Sequence, residues 1–200
     1  MTSKNTLIIG TRGSALALAQ ADMVRAALSA LHPGLDIRRE IIRTTGDRRM
    51  DVPLADVARV SGIVDKGIFI KELETALLEG RIDVAVHSLK DVPSELAPEF
   101  RLPAVLPRAA AEDVLITKEP DWNGRGTLAT GSVRRRLMAR TYWGRQLRFE
   151  DLRGNVPTRL EKLVEHPEWD AVILAKAGLE RLGLYAPETV VQGRKLYMRP

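Results

Sequence analysis

The sequence predicts an α/β protein of two domains, and three observations carry that reading. Short apolar, strand-like runs alternate with stretches of helical periodicity, the pattern of strands and helices packed in layers. The second half repeats the first half's order of strand, polar turn and helix. Between them lies Leu102-Pro103-Ala104-Val105-Leu106-Pro107, a crossover that places the boundary near residue 106. Residues 1–106 are then the first domain and 107–190 the second, with 191–200 read as the start of a segment returning to the first.

Leu7-Ile8-Ile9 is the first strand, broken by Gly10. Ser14 can cap the helix that follows, in which Leu16, Ala19, Met23, Ala27 and Leu31 form an apolar stripe. His32-Pro33-Gly34 ends it. Ile37 to Arg43 reads as a second strand, and the stretch 44–66 has no clear period. Phe69, Leu73, Ala76 and Leu77 share one face of a helix closed by Gly80. Ile82 to Val86 is a buried strand of about five residues. In the second half, Val114-Leu115-Ile116, Thr127-Leu128-Ala129, Leu147-Arg148-Phe149 and Ala171 to Ala175 are strands. A basic helix spans about 133–143, another carries Leu160 and Leu163 and ends near His166-Pro167, and a short one covers Gly178 to Leu184.

Composition narrows the class. Of the 200 residues 44% are hydrophobic and 28% charged, ordinary for a globular chain. No run approaches the ~20 apolar residues of a membrane span, and the N-terminal MTSKNTLIIG lacks a signal-peptide pattern. There are no cysteines, and His32, His87 and His166 are scattered, which argues against a metal site. A cytoplasmic, metal-free protein is the expectation. The net charge of +5 is uneven: residues 101–200 hold 18 Lys and Arg against 12 Asp and Glu. Such a field suits anionic ligands.

The chemistry centres on Ile82-Asp83-Val84-Ala85-Val86-His87-Ser88-Leu89-Lys90-Asp91-Val92-Pro93. A lysine and an aspartate sit beyond the carboxyl end of a buried strand, where open α/β sheets bind ligands. Lys90 offers a charge to an acidic substrate, and Asp91 a carboxylate that could exchange protons. On spacing alone, a surface ion pair at a turn is an equal reading. Arg12 and Ser14 stand where a strand turns into a helix, and so do Thr130, Gly131 and Ser132, which Arg134 and Arg135 follow. Arg153 and Arg159 flank Gly154-Asn155 on a third such turn. Helix starts and guanidinium forks both suit carboxylates. A lone arginine is more often a solvated surface residue; recurrence at three turns is what singles these out.

Five blocks in order, TRGSALALAQ at 11–20, KGIFIKELE at 66–74, HSLKDVP at 87–93, TGSVRRR at 130–136 and LRGNVPTRL at 152–160, resemble the hydroxymethylbilane synthase family, also called porphobilinogen deaminase. The resemblance implies two lobes of the periplasmic-binding-protein type (type II), with mixed sheets around a central cleft. It implies a transferase of tetrapyrrole (heme) biosynthesis that condenses four porphobilinogen units head to tail into hydroxymethylbilane, releasing ammonia. Asp91 matches the family's catalytic aspartate. Arg12, Ser14, Lys90, Arg134, Arg135, Arg153, Arg159 and Arg181 match positions that bind the acidic side chains, with Thr130, Ser132 and Asn155 as polar partners. Lys66 matches the lysine of an active-site loop, although the stretch 52–66 is longer than the family's usual form and carries Asp56 where a lysine is common.

The implied cofactor is a dipyrromethane, held through a thioether by a cysteine of a third, C-terminal domain. This chain ends at Pro200 and has no cysteine, so it is expected to correspond to the family's first two domains and to carry no covalent cofactor alone. Porphobilinogen is the expected partner, with no nucleic acid and no membrane, and the chain is expected to be a monomer. Two other classes compete. One is a truncated, catalytically incompetent module binding acidic pyrroles or other small carboxylates. The other is nucleic-acid binding through Arg134-Arg135-Arg136, which fares worst because stacking aromatics are few, at 4%.

Overall fold

The computed structural model describes residues 5–44 and 70–200. The chain divides into two compact units, Met1–Pro107 and Arg108–Pro200.

In the first unit, strand β1 (Thr6–Thr11) leads through a Ser14 cap into helix α1 (Ala15–Leu31), then strand β2 (Asp36–Ile41). Helix α2 (Lys71–Leu78) precedes strand β3 (Val84–Ala85) and a 3₁₀ turn at Leu89–Asp91. The sheet order is β2-β1-β3, and both pairings are parallel. Because β1 and β3 run the same way, the turn at Arg12–Ser14 and the turn at 87–91 leave the same edge of the sheet. Strand β3 is shorter than the five residues expected. Its pairing is nevertheless extended at both ends, by Asp83 N–H to the Ile8 carbonyl and Val86 N–H to the Gly10 carbonyl, each 2.9 Å. Ile42, Leu73, Ala76 and Ile82 form the core beneath. Gly80 takes φ +68°, and the chain folds back with the Arg81 amide bonded to the Ala76 carbonyl, the left-handed closure a glycine permits.

The buried face of α1 differs from the expected stripe. Ala21 is its one fully buried residue, while Met23 and Leu31 are exposed. Leu16, Ala19 and Ala27 of that stripe are half-buried, as are Ala17, Val24 and Leu28. Thr11 Oγ1 donates to the Ala17 carbonyl at 3.2 Å, tying the helix to the end of β1. A helix this rich in alanine and leucine satisfies a helical period on more than one face, so spacing alone did not choose.

The second unit holds a six-stranded mixed sheet. Strands β4 (Asp113–Thr117) and β5 (Gly126–Ala129) precede helix α3 (Val133–Trp143) and strand β6 (Leu147–Glu150). Helix α4 (Val156–Glu165), strand β7 (Ala171–Ala175) and helix α5 (Lys176–Arg181) follow, then strands β8 (Glu188–Val191) and β9 (Arg194–Arg199). The order is β6-β5-β7-β4-β9-β8. Strand β5 pairs in parallel with β6 and β7, and β4 runs antiparallel to β7 and β9. Val114, Ile116, Leu160, Leu163, Val172, Leu174, Leu179, Leu196 and Met198 pack into one core.

Residues 191–200 therefore do not depart toward the first unit. They complete the second sheet, in a hairpin whose two turn residues, Gln192 and Gly193, both have positive φ. That turn matches the natural strand twist, and Leu196 and Met198 alternate inward from β9.

Candidate active site

At the edge of the first sheet, the backbone of residues 88–92 closes a 3₁₀ turn, with Asp91 N–H bonded to the Ser88 carbonyl at 2.9 Å. This turn presents Lys90 outward, 79% exposed, with Asp91 half-buried at 27%. Their 3.8 Å separation makes a loose ion pair, of the kind worth little when one partner is in solvent, so both groups stay available. Ser88 Oγ donates to Gln20 Oε1 at 2.7 Å, fastening the turn to α1. Behind it lies half-buried His87. Burial lowers the pKa of His87; the Asp91 carboxylate pulls the other way, and the Arg12 guanidinium adds to the lowering. Asp91, His87 and Arg12 thus share one electrostatic neighbourhood. Ser14 Oγ accepts from the Ala17 amide at 3.3 Å and caps α1.

The second unit brings its arginines to one edge as well. Strands β5, β6 and β7 end there, and antiparallel β4 begins there, with Asp113 opposite Ala175. Thr130 is buried, and its Oγ1 accepts from the Ser132 amide at 3.2 Å. Ser132 Oγ caps α3 by accepting from the Arg135 amide at 3.3 Å. Asn155 Oδ1 caps α4, accepting from Thr158 N at 2.9 Å and from Thr158 Oγ1 at 2.8 Å. Gly154 has φ +119°, and a Cβ there would lie 2.9 Å from Thr158 Cγ2; glycine lets the chain make this turn.

Arg159 donates from Nε to the Gly154 carbonyl at 2.7 Å. Its pKa is lowered, first by burial and then by the positive charges of Arg135 and Arg153. Arg135 and Arg153 therefore both stand close enough to Arg159 to destabilise its charge. Arg153 Nη1 and Arg181 Nε are buried, with no acceptor among the described residues. Buried N–H groups without partners are rare and costly. A carboxylate ligand would supply the missing acceptors and the missing negative charge.

Every predicted site residue within the described range lies at one of these two sheet edges, or on a helix starting there. Lys66 and the loop 52–66 lie outside the described residues. Two partners were missed. Gln20 could have been noticed as the lone polar residue ending the run Ala15 to Ala19. Asp113 carried no local signal. It receives Arg135 Nε at 3.1 Å and Nη2 at 2.6 Å, and Arg134 Nη2 at 3.1 Å. Arg135 Nη1 donates to the Ile173 carbonyl at 3.0 Å. The expectation of an open Arg135 fork is thereby modified: one edge is already filled. Arg136, weighed for nucleic acid, bonds the Thr130 carbonyl through Nε and Asp151 through Nη2. Among the described residues no His, Asp and Glu group could hold a metal ion, and no helix is long and apolar enough to cross a membrane.

Fold and site together define an α/β protein with arginine-lined, helix-capped turns suited to a polycarboxylate. Residues 7–197 match the family model described as porphobilinogen deaminase, dipyromethane cofactor binding domain. The porphobilinogen deaminase of Roseiflexus sp. (strain RS-1) is 47% identical over 186 residues, covering 90% of this chain and 58% of that protein. That of Gloeobacter violaceus is 44% identical, covering 89% and 54%. That of Nitratidesulfovibrio vulgaris is 43% identical over 197 residues, covering 96% and 59%. The chain belongs to the porphobilinogen deaminase family. It spans between 54% and 59% of the length of these relatives. A solved structure of an ancestral amino-acid-binding protein, AncCDT-1, overlaps 98% of this chain and 81% of its own at 16% identity, with a TM-score of 0.42, too slight an overlap to inform function.

Proposed function

We propose that this chain forms the cofactor- and substrate-binding part of a transferase that joins four porphobilinogen units head to tail into hydroxymethylbilane with loss of ammonia. The observation that carries the reading is the pair of buried guanidinium atoms, Arg153 Nη1 and Arg181 Nε, left without acceptors. Such groups fit a dipyrromethane bearing carboxylate side chains. When bound, that cofactor supplies the pyrrole carbon to which new units are joined.

The chain's own residues divide the remaining work. Arg153, Arg159 and Arg181 take carboxylates in the second unit, together with the free N–H groups of Arg134 and Arg135; Thr130, Ser132 and Asn155 hold the turns that present them. Arg12 and Lys90 supply positive charge in the first unit, and Ser14 shapes the start of α1. Asp91, fixed on its 3₁₀ turn, is the acid–base residue. Its carboxylate stabilises the positive charge that builds as ammonia departs, and it receives and returns the pyrrole proton. Lys66 belongs to the same reading through the matching sequence block, and so do a cytoplasmic location and a monomeric state. No cysteine occurs among these 200 residues, so none of them offers a thiolate to tether the cofactor. The test is calorimetric titration of the purified chain with porphobilinogen. Saturable binding that Arg153→Leu and Arg181→Leu each weaken supports the reading; no binding, or binding indifferent to both changes, overturns it.

A further inference from the structure

The guanidinium of Arg135 has five N–H groups, and three are engaged within the protein. Asp113 takes Nε and Nη2 at 3.1 and 2.6 Å, and the Ile173 carbonyl takes Nη1 at 3.0 Å. The side chain is only 13% exposed, so it has little room to turn. Two N–H groups remain, and their direction is set by the three that are held. The same carboxylate also accepts Arg134 Nη2 at 3.1 Å. Asp113 begins β4, a strand locked between β7 and β9, which makes it a rigid post. Arg135 and Arg134 start a helix, whose side chains would otherwise sample several rotamers.

We propose that Asp113 is a positioning residue: it holds Arg135 and Arg134 at a fixed angle and thereby sets the spacing at which the site accepts a ligand with more than one carboxylate. The inference rests on the proposed polycarboxylate site and adds a residue that carries no charge complementary to the ligand. An aspartate here opposes ligand binding by simple charge, since it cancels one of the site's positive charges. Its presence in contact with two of the arginines is explained if orientation outweighs that loss. A charge-assisted bidentate pair is both strong and directional, whereas one unit of charge partly exposed to water is screened.

The two effects have opposite signs, which makes the idea testable. Asp113→Asn leaves the side chain nearly isosteric and raises the net charge of the cluster by one. If Asp113 mattered only as a charge, the variant would bind porphobilinogen more tightly. Positioning predicts the reverse: roughly ten-fold weaker binding of porphobilinogen, which has two carboxylates, with binding of pyrrole-3-acetate, which has one, changed by about two-fold or less. A general loosening of the fold would instead weaken both ligands alike.

The experiment is calorimetric titration of wild-type chain and variant with each ligand, alongside circular dichroism to establish folding. Equal or tighter porphobilinogen binding by Asp113→Asn overturns the proposal, as does an equal loss for both ligands. Should Asp113→Asn fail to fold, Asp113→Glu replaces it, since it keeps the charge and moves the carboxylate by one methylene. Selective loss of porphobilinogen binding then supports positioning, and wild-type binding overturns it. Wild-type chain that binds neither ligand overturns the polycarboxylate site itself, an outcome distinct from a failure of the Asp113 assignment.

Discussion

Ser88 Oγ and Gln20 Oε1 lie 2.7 Å apart, a bond that joins the turn after β3 to the second turn of α1. Within the turn, backbone bonds run from Asp91 to Ser88 and from Val92 to Leu89. The angle at which Asp91 meets a ligand therefore depends on a side chain distant from it in sequence. Gln20→Leu removes the acceptor while keeping volume, and is expected to lower stability by about 1 kcal/mol. It should weaken porphobilinogen binding without abolishing it. Urea denaturation and calorimetry on the same preparation check both.

Asp91→Asn is expected to fold as the wild type does, because its ion pair with exposed Lys90 is loose. General acid–base groups contribute about 10²–10⁴ in rate, so the proposed turnover of porphobilinogen should fall by at least that lower figure. A folded Asp91→Asn enzyme with undiminished turnover would remove the residue from its assigned role.

The stability of the first unit should depend on His87. Its pKa in the folded chain is lowered, chiefly by burial, so the unfolded chain binds the proton more readily. Stability is then fully present above the unfolded value near 6.5 and is lost as pH falls below it. Denaturation midpoints at pH 7.5 and 5.5 should drop for the wild type and drop less for His87→Gln. Equal drops in the two proteins would show that other groups carry the dependence.

Gly154→Ala places a side chain on a residue at φ +119° and presses Cβ toward Thr158. Strained positions of this kind cost about 1–3 kcal/mol. Because Thr158 is bonded to the Asn155 cap, the change should also disturb α4 and the neighbouring arginines. A lower melting temperature together with weaker porphobilinogen binding is expected, whereas Asn155→Ala should cost about 1 kcal/mol from loss of the cap alone.

The arginine-bearing turns were legible because each one is local. A strand, a capping residue and a basic residue lie within a few positions, and the caps at Ser14, Ser132 and Asn155 form as those types dictate. What stayed hidden required the fold to bring distant residues together. Asp113 meets Arg135 across 22 positions, and Gln20 meets Ser88 across 68. The face of α1 was misjudged in part, at Met23 and Leu31, because alanine and leucine repeat on several sides and spacing alone cannot choose among them. The destination of β9 was misjudged for another reason. Alternation in Lys195 to Arg199 announces a strand but not which neighbour it pairs with, since pairing depends on the edge that β4 leaves open.

That edge gives the second unit a schedule. Strand β4 is synthesised early, yet one of its neighbours, β7, arrives only at Ala171 and the other, β9, at Arg194. With ribosomes adding roughly 5–20 residues per second, the interval before β9 emerges amounts to several seconds or more. Throughout it, Val114 and Ile116 face a layer still missing Leu196 and Met198. The nascent chain is thus exposed along a strand edge until Arg194–Arg199 are made, and a chaperone or a slow codon would act most effectively in that window.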